Sequence, residues 1–409
     1  MVWSGWLRAG KASGLLVIVL LAGGWQAAPT AAEINSILNE LSGITGFPVR
    51  RQLPFALITR EQVNQYLRDE IRISVKPGDI RAEEITLKKF GFAPPDFDLK
   101  KTTIDLLTEQ AAAFYDFKRK KLFISDWAAV NMRDTAIVHE LAHALADQNF
   151  SIRKFTRGAA EDGEMSMARE SVVEGQASWL MVEVEARRTG KSMADTATAR
   201  QLLVDTPESP DGEYPVYSKA PLYLRKTLLF PYAAGGRFQQ AVFEREGQAA
   251  FAKVFERAPV SSAQIEHPER YFAGEIPATP VLPKPWPHMK AFVKGSLGEL
   301  ETRILLEQYV SADVAQSLGP LLRGSRYRVD ENRKDHRMTL VYVSEWADEE
   351  AAGRYFVAYQ TVLRGKWHRM NVTAQGTDQI SGLSEDGYFR VALKGRQVRS
   401  EEGFAAPPV

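Results

Sequence analysis

Two histidines four positions apart, His139 and His143, enclose a glutamate, Glu140, directly after the first of them. On an α-helix, residues at this spacing project from one face about one turn apart, so both imidazoles can reach a single zinc ion. Glu140 points about 100° away around the helix axis. It can therefore serve as a general base toward a water molecule without binding the metal itself. The three residues predict a zinc site that carries its own base.

The sequence around these residues, TAIVHELAHALADQ at 135–148, predicts the helix that the site requires. Ile137, Leu141 and Leu145 fall on the side opposite the histidines and would bury the helix against a core. The alternative is an ordinary amphipathic helix whose two histidines lie at the surface or bond to neighbouring groups. The zinc site is favoured because a predicted hairpin precedes the helix and a second helix with suitable acids follows it.

A zinc site with two histidines needs a third protein ligand from elsewhere in the chain. The helix predicted at residues 164–189 carries Glu170 and Glu174 on one face. Glu174 is preferred because small residues follow it in the stretch EGQAS, and small residues let two helices approach closely. Glu170 is the alternative ligand, or an acid that supports a ligand. The other acidic candidates after the second histidine are Asp147, Glu161, Asp162 and Glu164.

The stretch VHELAHAL followed by VVEGQAS resembles the gluzincin zinc metallopeptidases, in which the third ligand is a glutamate on a following helix. More narrowly, the run from EQAAAFYDFKRKKLFIS through HELAHALADQ to PVSSAQIEHPERYF resembles a family of exported bacterial metallopeptidases. This resemblance covers most of residues 50–400. It implies a zincin-like catalytic domain in which His139, His143 and Glu174 bind zinc and Glu140 acts as the base.

Ser178 marks a departure from the thermolysin-like members of that group, which have an aspartate four residues after the ligand glutamate. That aspartate steadies the first histidine, and a serine is a weaker acceptor. Either Glu170 or Asp147 supplies the support in this chain, or the site is held less tightly.

His267 and Tyr271, in the stretch QIEHPERYF, are the predicted donors to the oxyanion that develops during hydrolysis. The alternative for His267 is a loop histidine that caps backbone groups. The strand predicted from KLFIS, at 121–125, precedes the active helix, and its edge could pair with an extended polypeptide substrate.

The predicted fold class is α+β, and a chain of 409 residues, 44% of them hydrophobic, is long enough for two domains. A mainly helical zincin-like metallopeptidase domain is expected at 33–288, with a small β-hairpin at 112–125. Its last segment, 277–288, contains five of the prolines and is the predicted linker. A small module of helices and strands, with no chemistry of its own in view, is expected at 289–409.

Several local signals fix the ends of the predicted helices. One helix should end at Gly46, and another should begin after a capping box formed by Thr59 and Gln62. Residues 151–163 are predicted to be a loop, and residues 231–236, PYAAGG, are predicted to break a helical region.

Residues 1–32 are typical of a secretory signal. Arg8 and Lys11 precede the apolar run GLLVIVLLAGG, and small residues lead to Ala32, the predicted cleavage site. The alternative is an N-terminal anchor that is retained. The signal predicts a protein exported to the periplasm or the exterior of a bacterium, with no stable membrane span after the signal is removed. The chain has no cysteine, which excludes thiol catalysis, and its net charge of +1 gives no basic surplus for nucleic acid.

Together these patterns predict an exported zinc-dependent metallopeptidase that hydrolyses peptide bonds of a polypeptide substrate. One alternative is a non-catalytic zinc-bearing envelope scaffold, or a chaperone-like binding protein. A further alternative is a zinc hydrolase of non-peptide amides, which would use the same residues in a different cleft. The sequence carries no signal for the oligomeric state.

Overall fold

The protein has an α+β fold, as predicted: helices dominate the N-terminal two-thirds, and a large antiparallel sheet lies near the C-terminus. The computed structural model describes residues 29–74, 76–110, 112–127, 130–159, 162–203 and 214–407. No helix within these ranges is both long and apolar enough to span a lipid bilayer.

Most of the predicted signal sequence, residues 1–28, lies outside the described residues. Thr30, near the end of that segment, caps the first helix: its side chain accepts a hydrogen bond from the Glu33 backbone N–H, and the Glu33 carboxylate accepts one from the Thr30 N–H at 2.6 Å. Cleavage after Ala32 would remove this cap together with the first two residues of the helix.

Local chemistry sets the ends of the first helices as predicted. Gly46 and Gly91 follow two of them with φ of 75° and 81°, a left-handed conformation that glycine adopts without strain. Thr59 and Gln62 form the predicted capping box, with reciprocal hydrogen bonds of 2.9 and 3.3 Å. The elements of this region are α1 (Ala31–Thr45), β1 (Phe55–Ile58), α2 (Arg60–Ser74), α3 (Pro77–Phe90) and α4 (Leu99–Gln110).

The predicted hairpin is present as strands β2 (Ala113–Asp116) and β3 (Lys121–Ser125), which pair antiparallel. β1 pairs parallel to β3 on its other side, so the strand order is β1-β3-β2. β3 is therefore the central strand, and the prediction that its edge could receive a substrate is wrong. The outer strand on the side of the hairpin is β2.

Six helices follow, and two predictions about them are wrong. A helix occupies residues 152–157, inside the predicted loop at 151–163. The last of the six helices continues through Pro231, where a break was predicted. The helices are α5 (Val130–Phe150), α6 (Ile152–Arg157), α7 (Gly163–Arg188), α8 (Thr196–Leu202), α9 (Pro215–Lys219) and α10 (Leu222–Glu246).

α7 and α10 cross with their backbones in contact, and two glycines make this possible. A Cβ atom on Gly175 would lie 2.1 Å from the carbonyl carbon of Gly235, and a Cβ on Gly235 would lie 2.2 Å from the Ser171 oxygen. The small residues that follow Glu174 therefore do permit a close approach between helices, but the partner is α10. α5 packs against the same helix, α7, so α7 lies against both.

The described remainder of the chain adds three short helices and then the C-terminal sheet, with three further helices between its strands. The seven strands pair antiparallel throughout, in the order β4-β5-β6-β10-β9-β8-β7. The elements are α11 (Ala250–Glu256), α12 (Ser262–Glu266), α13 (Pro268–Ala273), β4 (Met289–Gly295), α14 (Glu299–Tyr309), α15 (Ala312–Leu318), β5 (Leu322–Asn332), β6 (Met338–Trp346), α16 (Glu349–Lys366), β7 (Met370–Gln375), β8 (Gln379–Ser384), β9 (Gly387–Lys394) and β10 (Gln397–Phe404).

The two predicted units share one continuous cluster of buried apolar side chains. At their junction, the Leu300 N–H at the start of α14 donates to the Ser262 hydroxyl at 3.2 Å. The proline-rich segment 277–288 lies along the sheet: Arg328 donates to the Pro283 carbonyl at 2.8 Å. This segment therefore joins parts that pack together.

Candidate metal centre

The side chains of His139, His143 and Glu174 meet at one point between α5 and α7. The Nε2 atoms of both histidines lie 3.1 Å from the same carboxylate oxygen, Oε2 of Glu174. Around a tetrahedral zinc with bonds of about 2.0–2.1 Å, ligand atoms lie about 3.3 Å apart. The structure therefore brings the three predicted ligand side chains together, at N–O distances compatible with a shared metal ion.

Burial sets the charge states of these ligands. All three side chains are 1% exposed. Burial lowers the pKa of His139, which favours the neutral imidazole that binds metals. Burial also acts to raise the pKa of Glu174, but His143 and the hydrogen bonds from both imidazoles outweigh it and bring that pKa to about 2. The site thus combines a neutral imidazole, that of His139, with an ionised carboxylate.

Glu140 lies beside the two histidines with one oxygen held and the other unpaired. Its Oε2 accepts a hydrogen bond from the backbone N–H of Tyr115, on β2, at 2.7 Å. Its Oε1 is buried and has no hydrogen-bond partner in the described structure. Ligand atoms of His139, Glu140 and His143 lie within 4.8 Å of one another. Burial and the charge of Glu174 raise the pKa of Glu140 well above its ordinary value, as suits a group that takes up a proton.

Tyr115 is itself fixed at its other end. Its hydroxyl donates to Asp147 at 2.9 Å, and Asp147 also forms an ion pair with Lys120. The Asp147 carboxylate therefore binds two residues of the hairpin and does not support His139. Through Tyr115, this contact ties β2 to the C-terminal part of α5 and so steadies the backbone N–H that holds Glu140.

Tyr232, on α10, is a site residue that the sequence prediction missed. Its ring stacks on His139, with centroids 5.7 Å apart and an angle of 26° between the planes. Its hydroxyl lies near the Glu174 carboxylate. Burial and the nearby carboxylates, Glu174 first among them, raise the pKa of Tyr232 well above its usual range, so the hydroxyl keeps its proton. The residue escaped notice because it lies in PYAAGG, the stretch that was predicted to break a helix.

Glu170 lies one turn before Glu174 on α7 but does not join the ligands. It is 8% exposed, and its Oε2 is buried without a hydrogen-bond partner among the described residues. The structure thus selects Glu174 rather than Glu170 as the carboxylate that meets both imidazoles.

The support expected for the first histidine is missing from the described part of the chain. His139 Nδ1 is buried and has no hydrogen-bond partner there. Among the described residues Ser178 makes no hydrogen bond to this nitrogen, and neither Glu170 nor Asp147 takes over that role. Of the two possibilities drawn from the sequence, the structure corresponds to a first ligand that is held less tightly, with the Tyr232 ring packed on its face.

His267 and Tyr271 are not brought to this centre. His267 Nε2 lies 2.9 Å from an oxygen of Glu299, at the start of α14. The Tyr271 hydroxyl donates to the backbone carbonyl of Arg257 at 2.7 Å. Both polar groups are thus occupied by partners outside the metal centre, which corrects their assignment as oxyanion donors.

Comparisons with known proteins add no relative: no family model matches the chain, and no curated protein or solved structure shows significant similarity to it. The description of this site as a candidate zinc centre therefore rests on the placement of His139, His143 and Glu174, with Glu140 and Tyr232 beside them.

Proposed function

We propose that the protein is a zinc-dependent metallopeptidase. One observation carries the proposal: a single oxygen of Glu174 lies 3.1 Å from the Nε2 atoms of both His139 and His143, while the Glu140 Oε1 beside them has no partner. A purely structural zinc site closes its coordination with protein ligands and has no use for such an acid. The unpaired oxygen favours hydrolysis over the scaffold alternative.

His139, His143 and Glu174 would hold the zinc. When bound there, zinc lowers the pKa of water and polarises the carbonyl of the substrate. Glu140 would take the proton of the attacking water at Oε1 and deliver it to the nitrogen of the leaving amine. The Tyr115 N–H keeps the other oxygen, Oε2, in place during both transfers.

The position of β2 supports a polypeptide as the substrate. β2 is the outer strand of its sheet, and its Tyr115 N–H donates to Glu140. An extended peptide can add to such an edge through main-chain hydrogen bonds. A substrate bound in this way would lay its backbone next to the base, a role first assigned to the strand at 121–125.

Tyr232 is the proposed donor to the developing oxyanion, in place of His267 and Tyr271. Its hydroxyl keeps its proton and lies against the ligand Glu174. A donor that is fixed before the reaction stabilises charge on the substrate oxygen without the cost of reorganisation.

Replacing Tyr232 by Phe should therefore lower kcat by about 100-fold, because one oxyanion donor is lost, with little change in KM. Zinc content should be unchanged. The matched control is Tyr271→Phe, which removes a hydroxyl that donates to the Arg257 carbonyl. Steady-state kinetics on a peptide substrate should show the loss in the first variant alone. Equal rates for both variants would contradict the role of Tyr232.

The activity itself can be tested by digestion of casein with the zinc-loaded full chain. We expect cleavage that stops on treatment with a zinc chelator and returns when zinc is restored. Stoichiometric zinc without any cleavage of casein or of synthetic peptides would favour the scaffold alternative.

A further inference from the structure

Glu170 is a buried carboxylate to which the proposed mechanism gives no task. It lies four residues before Glu174, on the same face of α7, and is 8% exposed. Its Oε2 has no hydrogen-bond partner among the described residues. Acids so deeply buried are nearly always paired, because an unpaired charge in the interior is costly.

The centre is rich in acidic side chains. Three carboxylates belong to the site: Glu140, Glu170 and Glu174. Glu174 lies within ion-pair distance of both ligand histidines. If all three are ionised, a divalent zinc would offset two of the negative charges, and a cation at Glu170 would offset the third.

Glu170 lies close to groups that would take part in the proposed reaction. Burial and then the charge of Glu174 raise the pKa of Glu170, and Glu170 in turn contributes to the raised pKa of Tyr232. Glu170 therefore lies near both the ligand carboxylate and the proposed oxyanion donor. A group bound to Glu170 would be adjacent to the bond that is cleaved.

We propose that Glu170 binds a positively charged group of the substrate next to the scissile bond. This inference rests on the proposed peptidase function and names its substrate class. The charged group can come from two sources: the α-amino group of an N-terminal residue, or the side chain of a lysine or arginine. In either case the ligand supplies the missing counter-charge and the missing hydrogen-bond donors.

The site should discriminate strongly between charged and neutral ligands, because a ligand without the positive charge would leave a buried carboxylate unpaired. This discrimination can be measured by binding, without turnover. Amino-acid hydroxamates chelate zinc and present the rest of the amino acid to the surrounding site. Two pairs of compounds separate the sources. Leucine hydroxamate against its N-acetyl form tests the α-amino group. Nα-acetyl-lysine hydroxamate, whose side-chain amine is free, against N-acetyl-norleucine hydroxamate tests the side chain.

Calorimetric titration of the zinc-loaded full chain should show that the charged member of one pair binds about 10-fold or more tightly than the neutral member. In Glu170→Gln this preference should fall to about 1, while the neutral member keeps its affinity. Glu185→Gln is the matched control, because Glu185 lies on the same helix with its side chain exposed and pairs with Arg188. Loss of preference in the leucine pair identifies the α-amino group, and loss in the lysine pair identifies the side chain.

The failure of this inference differs from the failure of the proposed function. Binding of all four hydroxamates with no preference for charge, or a preference that survives in Glu170→Gln, would overturn the role of Glu170 and leave the zinc centre intact. If no hydroxamate binds the zinc-loaded protein, the open zinc site is itself refuted, and the role of Glu170 with it.

Discussion

Replacement of Glu140 by Gln should reduce hydrolysis by about 1,000-fold or more while zinc remains bound. The amide has nearly the same shape as the carboxylate, and its oxygen can still accept the Tyr115 N–H that now holds Glu140 Oε2. The amide cannot take a proton from water, so the group at the position of Glu140 Oε1 no longer acts as a base. The measurement is casein or peptide digestion together with zinc content.

Two outcomes would contradict this expectation, each in a different way. Retained hydrolysis would refute Glu140 as the base. Loss of zinc would mean that Glu140 binds the metal directly. This is the rival arrangement, because a carboxylate oxygen of Glu140 lies within 4.8 Å of the imidazole donors. Tyr271→Phe serves again as the control for general damage, since its hydroxyl donates to the Arg257 carbonyl.

Substitution of Gly235 by Ala should destabilise the fold by about 3 kcal/mol or more. The new methyl group would lie 2.2 Å from the Ser171 carbonyl oxygen, and neither helix backbone can yield without moving the other. Because Tyr232 lies one turn before Gly235, separation of α7 and α10 should also move its ring away from His139 and lower activity. Urea unfolding and peptide hydrolysis measure the two effects.

The neighbouring glycine provides a control in the same helix. A Cβ on Gly236 would meet only the Leu203 side chain, at 3.6 Å, an ordinary contact. Gly236→Ala should therefore be neutral or stabilise the protein by up to about 1 kcal/mol, because alanine favours a helix over glycine. If both variants behave alike, backbone contact at Gly235 is not what holds the two helices together.

The parts of the site that the sequence predicts are those encoded within one or two helices. His139, Glu140 and His143 follow from helical periodicity, and Glu174 follows from the small residues after it. The helix ends at Gly46 and at the Thr59 capping box were likewise predictable, because such signals act over a few residues.

The parts that the sequence does not reveal depend on contacts between distant segments. PYAAGG looks like a helix breaker because Pro231 removes a backbone hydrogen bond and glycine weakens a helix. The structure keeps the helix because Gly235 fits against Gly175, a contact between residues 60 positions apart in sequence. Tyr232 was overlooked for the same reason.

Strand order was hidden by a similar long-range effect. β1 is a four-residue strand, FALI, that pairs parallel to one edge of β3. Helices α2, α3 and α4 and strand β2 lie between the two strands in the sequence. No local pattern near β3 indicates which of its edges is free. His267 was misassigned because its partner, Glu299, lies on α14, beyond the predicted domain boundary.

The most direct measurement is the location of zinc in crystals of the protein by anomalous diffraction at the zinc absorption edge. We expect one strong peak, about 2.0–2.2 Å from the Nε2 atoms of His139 and His143 and from a carboxylate oxygen of Glu174, with a position left open toward Glu140. Crystals that take up no zinc at this point, or a peak whose carboxylate ligand is Glu140 instead of Glu174, would contradict the proposed centre.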